Sequence, residues 1–230
     1  MKLSPRLQII ADSIIGCDTL ADIGTDHASL PIYLVKKGSV KSAIASDINK
    51  GPIEIAEARI KSNRLEDKIQ TRLGSGLTIL KQNEANIIVI AGMGGMLIAD
   101  IIEASIAVAK SAEALVLQPM LDSGRLRAYL LQNDFEITDE ELVKEGRKLY
   151  EVIWVRKANK PQPIESYLDI GPKLIEKKHP LVGELVDKKA KEIQKVMNKL
   201  VGIETETGKI RLDECQELLK YYNEVKKWLQ

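Results

Sequence analysis

The stretch Thr19-Leu20-Ala21-Asp22-Ile23-Gly24-Thr25-Asp26-His27-Ala28-Ser29-Leu30-Pro31 decides the fold. Residues 19–23 read as a short, mostly apolar strand. Gly24 breaks it, polar residues follow, and 28–37 has the apolar spacing of a helix. A strand, a glycine turn and a helix form the nucleoside- or phosphate-binding corner of a doubly wound α/β sheet. Ligands of such sheets bind outside the carboxyl ends of the strands, so Asp22, Gly24 and Asp26 are expected to face the crevice. A pyrophosphate site favours glycines and bare N–H groups. Two carboxylates there repel phosphate and suit a cation instead.

That charge argument points to S-adenosylmethionine, which carries an ammonium and a sulfonium. The order Asp22-x-Gly24-x-Asp26, with Ser46-Asp47 ending a second strand, resembles a class I S-adenosylmethionine methyltransferase. The fuller strings are Ala-Asp-Ile-Gly-Thr-Asp-His-Ala at 21–28 and Ala-Gly-Met-Gly-Gly-Met at 91–96. With Gln118-Pro119, they resemble the bacterial tRNA (adenine-22-N1)-methyltransferase family over nearly the whole chain. The resemblance implies a mostly parallel, seven-stranded Rossmann-like sheet with one antiparallel strand. It also implies methyl transfer to N1 of an adenine in tRNA, at position 22.

Between the elements the chain is legible in order. Ser4-Pro5 starts a helix, with Leu7, Ile10, Ala11 and Ile14 on one face and Gly16 beyond its end. Arg6 is expected near the cofactor mouth, as an RNA contact or a solvated side chain. Residues 41–47 alternate as a strand ending in Asp47, about 20 residues past the glycine turn, where an acid accepts ribose hydroxyls. Ile48 follows it. A helix over 51–63 and a strand over 69–73 come next, then Gly74, Ser75 and Gly76. Class I methyltransferases commonly contact adenine there; a plain glycine turn reads equally well. Residues 87–91 form a continuous β-branched run, as in a central parallel strand covered on both faces. Gly92-Met93-Gly94-Gly95-Met96 follows, where the backbone can approach a ligand closely. A helix over 97–110, a strand over 114–117, a helix over 123–133 capped by Ser123, and strands over 136–145 and 147–157 complete the sheet.

Residues 158–163 are a linker by composition, dividing a methyltransferase domain at 1–160 from a helical domain at 161–230. The second domain reads as a short helix over 164–177 and an antiparallel, coiled-coil-like hairpin, broken between 201 and 209.

The chain has 230 residues, 44% hydrophobic and 29% charged, with one Phe and two Trp, so the core must be aliphatic. No apolar run is long enough for a membrane span, and no signal-peptide core opens the chain. Cys17 and Cys215 match no metal spacing, so free thiols, no metal and a cytoplasmic location are expected. The net charge of +1 excludes a uniformly basic nucleic-acid binder. Between 173 and 199, however, eight lysines face four acids. That cluster suits phosphate contact or a solvated helix face. The RNA-binding candidates are Arg6, Arg125, Arg127, Lys173, Lys177 and Lys178.

The cofactor candidates are Asp22, Gly24, Thr25, Asp26, His27, Asp47, Ile48, Gly74, Ser75, Gly76, Gly92 and Met93. The catalytic candidates are Asp26, His27, Gly92 and Met93. Adenine N1 has a free lone pair, so attack needs placement more than a strong base. The methylated base is cationic until N6 loses a proton. Asp26 and the carbonyls of the 92–95 turn are the candidates to stabilise that charge. His27, next to the crevice, is a candidate proton acceptor, though it reads more readily as a helix-starting or core-satisfied histidine. The target adenine must leave its stack, and Met93 and Met96 offer a polarizable wall. The residues alone leave open a small-molecule or protein methyltransferase, or a non-enzymatic cofactor sensor. Oligomeric state is not legible.

Overall fold

The computed structural model describes residues 2–160, 167–203 and 205–229. It divides into two compact units, residues 1–164 and 165–230. The first opens with α1 (Pro5–Ser13), then β1 (Cys17–Ile23), α2 (Ser29–Lys37), β2 (Val40–Asp47), α3 (Lys50–Ser62) and β3 (Ile69–Leu73). A 3-10 turn (Gly76–Ile79) leads to β4 (Ile87–Met93), α4 (Gly95–Glu103), α5 (Ile106–Ser111) and β5 (Ala114–Pro119). α6 (Ser123–Gln132), β6 (Phe135–Glu145) and β7 (Lys148–Lys157) complete it.

The strands form one sheet in the order β3-β2-β1-β4-β5-β7-β6. β1 through β5 run parallel, and β7 is antiparallel to both β5 and β6. This is the expected doubly wound, mostly parallel sheet with one reversed strand. The order reverses between β1 and β4, so the crevice opens at their carboxyl ends.

The β4 run shows why the sheet is covered on both sides. Ile88 and Ile90 join a core with Ile98, Ile102, Leu126 and Leu130, from α4 and α6. Val89, between them, points the other way, into a core with Ile10, Leu34 and Ile60, from α1, α2 and α3. Successive strand residues alternate faces, so an uninterrupted apolar run needs helices on both. Each such side chain contributes about 1.5–3 kcal/mol on burial.

The second unit contains α7 (Pro172–Glu176), α8 (Val182–Leu200) and α9 (Glu206–Leu229). An ion pair joins Asp187, early in α8, to Lys226, late in α9, so the two helices run antiparallel. Leu185 and Val186 of α8 and Cys215, Tyr222 and Val225 of α9 are buried.

Several expectations change. The helix predicted over 97–110 is two helices, interrupted at Ser105, whose backbone (φ −147°, ψ 47°) leaves the helical region. The helix predicted over 164–177 shrinks to α7 among the described residues. Pro172 biases the residue before it away from helix and itself suits a first helical position. The linker's Pro161-Gln162-Pro163 lies outside the described residues. Ser123 does not cap α6. Asp122 is the cap residue, in the left-handed region, and the Ser123 hydroxyl donates to Glu151 at 2.7 Å.

Candidate active site

At the end of β1, Asp22 is buried and accepts a 2.6 Å hydrogen bond from the Thr25 hydroxyl. Burial pushes its carboxyl up to about 6, with Asp26 adding to the rise and the Thr25 hydrogen bond opposing it. Its negative charge therefore costs energy in the free protein, and a cation beside it would relieve that cost. The Thr25 amide donates to Ser46 O at 2.8 Å, tying the turn to β2. Gly24 makes this turn at φ +72°, and a Cβ there would overlap Met93 Cε. The residue must be glycine for two reasons: the positive φ and the approach of β4's last residue.

Asp26 and His27 follow. His27 Nε2 lies 3.0 Å from Asp26 Oδ1, both side chains partly open to solvent. His27 (φ 58°) and Ala28 (φ 52°) are consecutive left-handed residues, an uncommon backbone for side chains with a Cβ. They precede α2, so His27 is a turn residue and not the start of the helix. Its Nδ1 is buried without a hydrogen-bond partner.

β2 ends in Asp47, whose Oδ1 accepts the Asn49 amide at 2.7 Å. Its backbone carbonyl accepts the Gly74 amide at 3.0 Å, joining the ends of β2 and β3. Ser75 precedes the 3-10 turn that Gly76 opens. Ile48 is 65% exposed and Leu73 57%, so two apolar side chains flank Asp47 in the open.

β4 ends in Gly92 and Met93. Gly92 has φ +79°, and a Cβ there would lie 3.1 Å from Arg6 Nη1. Its amide donates to Gln118 Oε1 at 3.1 Å. The Met93 carbonyl accepts the Met120 amide at 2.8 Å, and the Gly95 amide donates to Leu121 O at 2.9 Å. The 92–95 turn is thus pinned to the loop after β5. Gln118 is a site residue that residue-by-residue reading passed over. The available signal was a lone amide after the apolar run Leu115-Val116-Leu117.

The cationic candidates divide. Arg6 reaches the Gly92 turn. Arg125 is exposed on α6. Arg127 is fully buried and corrects the expectation of an RNA contact. Its Nε donates to Glu140 at 2.6 Å and its Nη2 to Glu151 at 2.5 Å. Burial opposes its charge, but the two carboxylates outweigh burial and raise its pKa. Lys173 pairs with Glu176 at 2.7 Å, and Lys178 lies 5.0 Å from the Trp228 ring centroid. Lys177 is the cap residue after the last turn of α7 and is exposed. Among the described residues no cluster of three metal-ligating side chains occurs, and no helix is long and apolar enough to cross a membrane.

The residues present fit S-adenosylmethionine. Glycines at positive φ turn the backbone sharply at the ends of β1 and β4. A buried acid awaits a cation, Asp47 suits ribose hydroxyls, and open aliphatic side chains beside it suit a purine face. The fold and this crevice define a class I-type methyltransferase. The family model described as tRNA (adenine(22)-N(1))-methyltransferase matches residues 20–224, and the chain belongs to that family. The tRNA (adenine(22)-N(1))-methyltransferase of Bacillus subtilis is 32% identical over 98% of this chain and 97% of its own length. The crystal structure of the B. subtilis M1A22 tRNA methyltransferase superposes with a TM-score of 0.89 at 33% identity, covering 97% of this chain and 98% of that one. A Streptococcus pneumoniae protein crystallised with S-adenosyl-L-methionine superposes at 0.82 with 32% identity, covering 95% of this chain and 100% of that one.

Proposed function

We propose that this protein transfers a methyl group from S-adenosylmethionine to N1 of adenine 22 in tRNA. The observation that carries the reading is the juxtaposition at the switch point. The acid-bearing turn of β1 meets the glycine turn of β4, at Gly24 and Met93. One side suits a cationic cofactor, the other a planar base.

When bound, S-adenosylmethionine supplies an electrophilic methyl on sulfur. Asp22, with Thr25 orienting it, would hold the ammonium end. Asp47 would accept the ribose hydroxyls. Ile48, Gly74, Ser75 and Gly76 would line the adenine. Gly92 leaves the turn free of side-chain bulk where the target base enters, and Met93 supplies a polarizable wall. Placement of N1 in line with the methyl group accounts for most of the catalysis. As N1 becomes bonded, positive charge spreads over the base and is stabilised by carboxylates and carbonyls aimed at it. Asp26 and the 92–95 carbonyls would stabilise that charge by accepting hydrogen bonds from the base, and His27, beside Asp26, would accept the N6 proton. Arg6, Arg125, Lys173, Lys177 and Lys178 remain the candidates for phosphate contact. The helical region serves tRNA binding, and the sheet region the chemistry.

The test is incubation of the protein with an unmodified tRNA transcript and methyl-labelled cofactor, followed by mapping of the labelled nucleotide. Label is expected at N1 of adenine 22 and absent when that adenine is replaced by guanine. Label on another nucleotide, or on no RNA, would overturn the reading.

A further inference from the structure

A guanidinium with no carboxylate partner sits at the edge of the glycine turn. Arg6 Nη1 donates to Gln118 Oε1 at 2.9 Å and lies 3.9 Å from Met120 Sδ. Its guanidinium carbon is 5.8 Å from the centroid of the Tyr150 ring. All three neighbours are neutral. Arg72, Arg127, Arg156 and Arg211, by contrast, each hold a glutamate. Arg6 has no ion pair among the described residues and is only partly exposed. A cation held in place, partly desolvated and unpaired, is prepared for an anion that comes from outside the chain.

The side chain that holds it is Gln118, which is fully buried. Its Oε1 accepts from both Arg6 Nη1 and the Gly92 amide, at 2.9 and 3.1 Å. Its Nε2 donates to Pro119 O at 2.9 Å and faces Met120 Sδ at 3.7 Å. Two donors on one side and a carbonyl on the other fix which way round the amide lies. One buried carboxamide therefore ties together α1, the end of β4 and the end of β5. A buried amide in an apolar strand is costly unless satisfied, and this one is satisfied by the parts of the proposed site.

We propose that Gln118 is a positioning residue. It holds Arg6 at the Gly92 turn as the cation that binds the phosphodiester flanking the target adenosine. This rests on the tRNA reading above. The choice of phosphate over base follows from charge. The base gains positive charge as N1 is methylated, and a guanidinium against it would oppose that. The flanking phosphodiester is the anion of the same nucleotide.

The experiment compares wild type, Arg6→Ala, Arg6→Lys, Gln118→Ala and the double variant on an unmodified tRNA transcript. Steady-state methylation, tRNA binding at several salt concentrations and calorimetric binding of S-adenosylhomocysteine are measured. Arg6→Ala is expected to raise KM for tRNA about tenfold, the effect of one charge-assisted contact. It should leave kcat and S-adenosylhomocysteine affinity nearly unchanged and flatten the salt dependence of log affinity by about one unit at most. Arg6→Lys should recover part of the loss. Gln118→Ala should reproduce the KM and salt effects, and adding it to Arg6→Ala should raise KM little further, because the two residues act in series. Should Gln118→Ala fail to fold, Gln118→Glu keeps the acceptor oxygens and neutralises Arg6, so it should show the same KM and slope. Wild-type KM and slope in Arg6→Ala, a loss confined to kcat, or fully additive losses in the double variant would overturn the proposal. A wild-type protein that neither binds nor methylates tRNA would remove the tRNA reading itself, and this proposal with it. An active wild type with silent variants removes only this proposal.

Discussion

Gly24 and Met93 close against each other: the turn after β1 leaves no room for a Cβ because the end of the Met93 side chain, from β4, fills that space. The two strands lie on either side of the switch point, so this contact is where the two halves of the crevice meet. Gly24 also has φ +72°. Gly24→Val should destabilise the protein by about 1–3 kcal/mol, from left-handed strain and displacement of Met93. S-adenosylhomocysteine binding should fall by at least about tenfold. Thermal unfolding and calorimetry check this; normal binding by a folded Gly24→Val variant would place the cofactor elsewhere.

Asp22 makes stability depend on pH in a stated direction. Its folded pKa is about 6, against 3.8 for the ordinary carboxylate. The folded state thus holds a proton that the unfolded state has already released between about pH 4 and 6. The favourable contribution present below that window is lost as pH rises through it, by up to about 3 kcal/mol. Asp22→Asn should remove this loss, so the variant gains stability over wild type as pH rises from 4 to 7. It should also bind S-adenosylmethionine more weakly. Unfolding midpoints for both proteins across that range decide it; a constant difference would contradict the burial argument.

Arg127 holds two buried carboxylates, Glu140 and Glu151, across α6, β6 and β7. Arg127→Ala leaves both without their cation and should cost about 3–5 kcal/mol, a fall of roughly 10 °C in midpoint for a chain of this size. Wherever the variant remains folded, the salt dependence of tRNA binding should match wild type, because the side chain never reaches solvent. A flattened salt slope would mean that it does.

Asp47 has two tasks that substitution can separate. Its side chain accepts the Asn49 amide, and under the proposed function its remaining acceptor capacity would take ribose hydroxyls. Asp47→Ala should weaken cofactor binding by about 1–3 kcal/mol, the scale of a lost charge-assisted hydrogen bond. Asp47→Asn, which keeps an acceptor for Asn49, should retain stability while still losing affinity. Equal calorimetric affinities for wild type and both variants would remove Asp47 from the site.

A chain ending at Lys160 contains all seven strands of the sheet and both of its aliphatic cores. It should fold cooperatively and bind S-adenosylhomocysteine with near wild-type affinity. Its tRNA affinity and turnover should drop steeply, since the lysine-rich segment 173–199 is gone. Full methylation of tRNA by the shortened chain would assign RNA binding to the sheet region alone.

The elements that the residues announce most clearly are those whose causes are local. The 69–73 strand is found at β3, and the 87–91 run lies within β4, because β-branched periodicity and flanking glycines act over a few residues. The split at Ser105 and the shortening of α7 were missed where an apolar pattern ran on past a backbone break. Proline at 172 was a readable signal for the second; Ser105 carried little.

By itself the sequence determined the order of strands and helices, the glycine turns, and the acids at the ends of β1 and β2. Each of these depends on neighbours within a turn or a strand length. Only the tertiary structure decided which charged side chains are available. Arg6 and Arg127 look alike in a string of letters. Yet Arg127 lies buried between glutamates 13 and 24 residues away, while Arg6 meets Gln118, 112 residues on. Burial and ion pairing are properties of who arrives from elsewhere in the chain, and no local pattern encodes that arrival.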